Sequence, residues 1–148
     1  MVLVTRQEFP YTGRVLGAYE KTVELLGDLN RCHYSSIVAM CIRAVGIEVI
    51  TVFGYFVPLS DISLFARLHT PLKRGEYSGN SHWWLRFPNE GYSLDIAHSQ
   101  VDPENPLLIV PTFLEGAHGL FYRYDAEPLP EGGRRTKELL SIWRTAFL

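Results

Sequence analysis

From Cys32 to Val45 the chain reads as a helix with apolar residues on almost every side. Ile37, Val38, Ala39, Met40, Cys41, Ile42, Ala44 and Val45 fall within it. A helix apolar all round has to be buried. The chain must therefore wrap its other elements around this segment. Asn30 is a candidate N-cap, and Gly46 closes the helix. Ile47 to Val57 follows, rich in β-branched and aromatic residues, which fits an interior strand. A buried helix beside a strand already demands a sizeable core. At 148 residues, 47% of them hydrophobic and 20% charged, the chain can supply one without metals or disulfides as staples. No linker, repeat or low-complexity tract divides it, so residues 1–148 are read as one domain.

The remaining elements follow from periodicity. Leu16, Tyr19, Val23 and Leu26 repeat at helical intervals, with Thr12 as the candidate cap. Pro58 to Gly79 is polar and rich in turn signals, an insert or lid loop. Ser81–Phe87 and Tyr92–Ala97 read as strands joined by the turn sequence Pro88-Asn89-Glu90-Gly91. Leu107–Leu114 and Leu120–Tyr124 are candidate strands. Gly132-Gly133 precedes a last helix with Leu139, Leu140, Trp143 and Phe147 on one face. Helices, then antiparallel strands, then a helix is an α+β order, not βαβ alternation.

Several function classes are disfavoured. A net charge of −2 shows no basic excess for nucleic acid. No apolar run is long enough for a membrane helix, and Met1–Pro10 does not read as a secretory signal. Cys32 and Cys41 lie on opposite faces of one helix, about 13 Å apart along its axis, too far for a disulfide. Free thiols suit a reducing cytoplasm, although a protein exported without a leader would look the same. Neither G-x-G-x-x-G nor a Walker loop occurs, and no cofactor is expected. His33, His69, His98 and His118 lack the spacing of a metal site, so no metal is expected either.

Three residues carry chemistry together. Cys32 stands at the first turn of the buried helix, where unpaired N–H groups and the helix dipole favour a thiolate. Cys41, in mid-helix, reads as packing. His82, Trp84 and Arg86 share one face of their strand. Asp95 lies among apolar neighbours and needs a partner. If Phe87 faces Tyr92, then Leu85 faces Leu94 and Trp84 faces Asp95. Asp95 then falls diagonal to His82 on the same face, and a one-residue slip would separate them. A thiol, a base and an orienter result. The Cys32 N–H is the first oxyanion donor; Asn30 and the indole of Trp83 or Trp84 are candidates for the second. One of Trp83 and Trp84 fills the core and the other lines a cleft, so both are candidate substrate contacts.

Arg31-Cys32-His33-Tyr34-Ser35-Ser36, the helix ending at Gly46, the strand to Gly54-Tyr55, Ser81-His82-Trp83-Trp84 and Ser93-Leu94-Asp95 resemble the core of transglutaminase-like cysteine enzymes. The resemblance covers about residues 29–97. It implies a papain-like α+β fold with a central helix on an antiparallel sheet, and Cys32, His82 and Asp95 as the triad. His33, the stretch Phe56–Gly79 and everything after Ala97 depart from the pattern. The expected activity is hydrolysis or acyl transfer at a peptide or amide bond, with a peptide, protein or amide as substrate. Cysteine protease, deamidase and acyltransferase chemistry all fit, and the oligomeric state is open. The alternative is a catalytically inactive binding or scaffold protein on the same fold.

Overall fold

The computed structural model describes residues 2–4, 9–27, 34–57, 71–72, 80–123 and 135–148. Among the described residues, three α-helices, α1 (Thr12–Leu26), α2 (Ser35–Ala44) and α3 (Thr136–Phe147), accompany seven strands. These are β1 (Leu3–Val4), β2 (Ile50–Phe56), β3 (Pro71–Leu72), β4 (Asn80–Phe87), β5 (Tyr92–Asp95), β6 (Leu108–Pro111) and β7 (Leu120–Arg123). The sheet order is β1-β6-β5-β4-β2-β7-β3. The five inner strands are antiparallel, and the two-residue strands β1 and β3 add parallel pairings at the edges. The α+β class is thus as the sequence order implies.

Alternation along the strands gives the sheet two apolar faces. On one, Leu85, Phe87, Tyr92, Leu94 and Ile109 pack with Val15, Ala18, Ile37, Val38, Ile42, Leu139 and Trp143 of the helices. On the other, Val52, Trp84, Leu108, Val110 and Leu120 form a smaller cluster. α3 bridges α1 and α2 across the first core. There the Trp143 indole N–H donates to Thr22 Oγ1 at 2.9 Å, and the Thr22 hydroxyl donates to Ala18 O at 2.8 Å.

Local details sharpen the sequence reading. Thr12 is the first helical residue, not the cap: its hydroxyl donates to Phe9 O at 2.9 Å and Tyr11 precedes the helix. α2 is less enclosed than its composition suggests. Met40 is 58% exposed, and Arg43 and Ala44 are also exposed, because only one side of the helix meets the sheet and α3. Residues 28–33, with Asn30 and Cys32, and most of 58–79 lie outside the described residues, as does Tyr124.

The β4–β5 hairpin has the expected register: Phe87 pairs with Tyr92, Arg86 with Ser93 and Leu85 with Leu94. Gly91 makes that closure possible. Its φ of +71° is costly for any other residue, and its N–H bonds Phe87 O at 2.8 Å. Strand β5 stops at Asp95, two residues before the expected end at Ala97. The reason is chemical: Ala97 N–H turns back to donate to Asp95 Oδ1 at 3.0 Å. Similarly, β6 ends at Pro111 and not at Leu114, since Thr112–Leu114 winds into a 3₁₀ turn.

Candidate functional site

His82 pairs across the sheet with Gly54 of β2, on the face away from the helices. Gly54 is obligatory in this packing. A Cβ there would lie 2.1 Å from Phe121 O and 2.6 Å from the Trp84 ring. With no side chain at 54, the Trp84 indole settles into the sheet. The His82 ring stacks over Trp84 with centroids 6.2 Å apart and planes inclined by 27°.

The diagonal contact expected from the hairpin count is present. His82 Nε2 donates to Asp95 Oδ2 at 2.7 Å, with both side chains 1% exposed. A second imidazole joins them. His98, in the 3₁₀ turn His98–Gln100, donates from Nδ1 to the same Oδ2 at 2.9 Å. Asp95 thus accepts from two rings and from the Ala97 amide. Burial alone would raise the Asp95 pKa. The charge and hydrogen bond of His82, and then those of His98, overcome it and hold the carboxyl well below the usual carboxylate range. Asp95 is therefore an acceptor only, and both facing nitrogens carry hydrogen. A neutral His82 that donates from Nε2 carries its lone pair on Nδ1.

His82 Nε2, an Asp95 oxygen and His98 Nδ1 all lie within 4.8 Å of one another. A metal ion could use that spacing only by displacing both imidazole N–H groups from Asp95.

A second buried carboxylate sits further along the same face. Glu115 is fully buried and receives Trp84 Nε1 at 2.9 Å and Arg86 Nε at 2.8 Å. Arg86 Nη2 completes a two-pronged contact with it, and the Ser93 hydroxyl also donates to it. The Arg86 guanidinium lies 4.4 Å from the centre of the Tyr122 ring. Trp84, fully buried, forms the floor beneath His82. Trp83 points to the opposite face, half-buried, and stacks on Phe53 at 4.7 Å.

Sequence reasoning joined His82 to Asp95 but missed His98 and Glu115. His98 follows Asp95 by three residues, and only the turn at Ile96-Ala97 folds it back. Glu115 lies in an irregular segment where no periodicity marks burial. Its signal was indirect: Trp84 and Arg86 share a buried face and need an acceptor.

Cys41 is a free, buried thiol whose Sγ donates to Leu140 O at 3.0 Å. Burial pushes its pKa up, against a smaller downward pull from Arg144. That makes it a packing residue with little thiolate. Cys32 and Asn30, the expected nucleophile and oxyanion donor, lie outside the described residues. A cavity of about 770 Å³ lies elsewhere, between α1 and the segment 99–106, lined in part by Glu20, Glu24 and Gln100. Among the described residues no helix is long and apolar enough to cross a membrane. No family model, no curated protein and no solved structure matches the chain, so its chemistry has to be argued from this geometry.

Proposed function

We propose that the chain is a cysteine-dependent hydrolase or acyl-transfer enzyme acting on a peptide or amide bond, on a papain-like, transglutaminase-like core. The observation that carries the reading is the buried His82 Nε2–Asp95 Oδ2 hydrogen bond of 2.7 Å. It leaves Nδ1 of His82 as base. In the proposed reaction, Nδ1 takes the Cys32 proton and the thiolate attacks the substrate carbonyl. Backbone donors at Cys32 and the Asn30 side chain hold the oxyanion. The imidazolium returns its proton to the leaving amine, which leaves a thioester. Water or a second amine then attacks that thioester, giving hydrolysis or transfer. Asp95 stabilises the imidazolium throughout.

The chain path supports a meeting of thiol and imidazole at one end of the sheet. The connection from α2 to β2 is short and includes a turn at Val45-Gly46. β2 therefore runs back along α2, and its far end, where Gly54 pairs with His82, lies toward the start of the helix. His82 itself lies on the face of the sheet opposite α2. A reduced thiol nucleophile fits a reducing compartment such as the cytoplasm.

A second reading has its own support. At 1% exposure His82 is as enclosed as a purely structural histidine, which fits a binding or scaffold protein without activity. Iodoacetamide separates the two readings. An activated Cys32 labels well below pH 8 and much faster than Cys41. An electrophilic acyl probe then gives an adduct on Cys32 by mass spectrometry, absent in Cys32→Ala. Equal and slow labelling of both cysteines would sink the enzyme reading.

A further inference from the structure

We propose that His98 is a positioning residue for the His82–Asp95 pair, fixing both the orientation of the carboxylate and the share of its charge that His82 receives. The proposal rests on the reading of His82 as the base. Asp95 is held from three directions: Ala97 N–H on Oδ1, and His82 Nε2 and His98 Nδ1 on Oδ2. With one donor fewer, Oδ2 would be free to rotate away from the plane of the His82 ring. With both, it stays at the ring edge and its negative charge is divided between two imidazoles. His98 thus draws to itself part of the hydrogen bonding that Asp95 Oδ2 would otherwise direct at His82 alone.

The setting of His98 suits this task. Its side chain is 2% exposed and its ring meets Phe56 edge-on at 6.2 Å. Its backbone carbonyl accepts the N–H groups of Val101 and Asp102, at 3.0 and 2.8 Å, which pins the turn. Among the described residues, the charged and titratable groups around it include His82, Asp95, Asp102 and His118. Asp102 Oδ2 lies 3.8 Å from His98 Nε2. His118, from the 3₁₀ turn Gly116–His118, has its pKa lowered by burial and then by the His98 charge, against an upward pull from Asp102. Around His82 the described groups include Asp95, His98 and, further along the same face, the Glu115–Arg86 pair.

Nitrogen NMR of the full chain tests the proposal directly. In the native protein His82 should be the Nε2–H tautomer and His98 the Nδ1–H tautomer. His98→Asn keeps an N–H near the Nδ1 position, whereas His98→Leu removes it. The leucine variant should move the His82 Nε2–H signal from its native position, and the asparagine variant should restore it. An unchanged His82 Nε2–H signal in a folded His98→Leu, or no rescue by asparagine, overturns the proposal. If the leucine variant fails to fold, His98→Gln replaces it, since its amide reaches the Nε2 position and should behave as a loss. The pH midpoint of Cys32 alkylation separates this proposal from the one beneath it. A His82 shift without any change in alkylation keeps the role of His98 and removes the thiol–imidazole pair. Alkylation that depends on His82 but ignores His98 does the reverse.

Discussion

Two buried carboxylates stand on one face of the same sheet, and their donors differ in kind. Glu115 is surrounded by Arg86, Trp84 and Ser93, none of which changes protonation near neutral pH. Asp95 is surrounded by the imidazoles of His82 and His98, a side-chain type with ring nitrogens that can both give and take a proton. Both sites satisfy a buried charge, as burial requires. Only the second can move a proton. Satisfaction alone therefore does not distinguish a structural cluster from a chemical one; the protonation chemistry of the donors does.

The largest expected effect lies on the structural side. Glu115→Ala strands Arg86 and Trp84 and should cost about 3–5 kcal/mol in urea unfolding. Among variants that remain folded, it should leave the pH midpoint of Cys32 alkylation in place. A moved midpoint would merge the two clusters into one functional unit. On the chemical side, His82→Gln should slow Cys32 alkylation at pH 7 by about 100-fold, with a much smaller loss of stability. If the rate is unaffected, the Asp95 cluster is as inert as the Glu115 one.

Acid titration sharpens the contrast further. The Asp95 pKa is depressed in the folded protein, so below about pH 4 the unfolded state binds the extra proton. The stabilisation by Asp95 is fully present above that pH and is lost as pH falls. Asp95→Asn should therefore show a shallower loss of stability between about pH 4 and 2 than the native chain, by about 1–2 kcal/mol across the window. An identical slope would mean that the imidazoles do not hold Asp95 ionised. The smallest effect lies remote from both clusters. Thr22→Val removes the acceptor for Trp143 and should cost about 1 kcal/mol in thermal unfolding, with alkylation unchanged.

Legibility in sequence followed locality. The His82–Asp95 contact could be counted because one four-residue turn sets its register, and the count survives in Leu85–Leu94. Helix α1 ran as its periodicity required, from Thr12 to Leu26. The end of β5 at Asp95 was not legible, since a side chain capturing Ala97 N–H competes with the ladder in a way no alternation reveals. Glu115 was hidden for a different reason. Its partners come from β4 and β5, more than twenty residues earlier, and only the assembled sheet brings them together. Sequence also overstated the burial of α2, because apolar composition does not say which side a neighbour covers. Met40 shows the discrepancy.

Gly54 carries one more consequence. The atoms around it leave no clearance for even a methyl group, and two of the three nearest belong to the β7 backbone. Backbone cannot swing aside as a side-chain tip can. Every single substitution at this position adds a Cβ, so none of its neighbours in mutational space is neutral. The third nearest atom belongs to Trp84, on which His82 rests. A change at a residue with no functional group of its own would thus reach the imidazole by wedging a strand and tilting an indole. In a library screened for lost function, position 54 should behave like a member of the site while touching none of its chemistry.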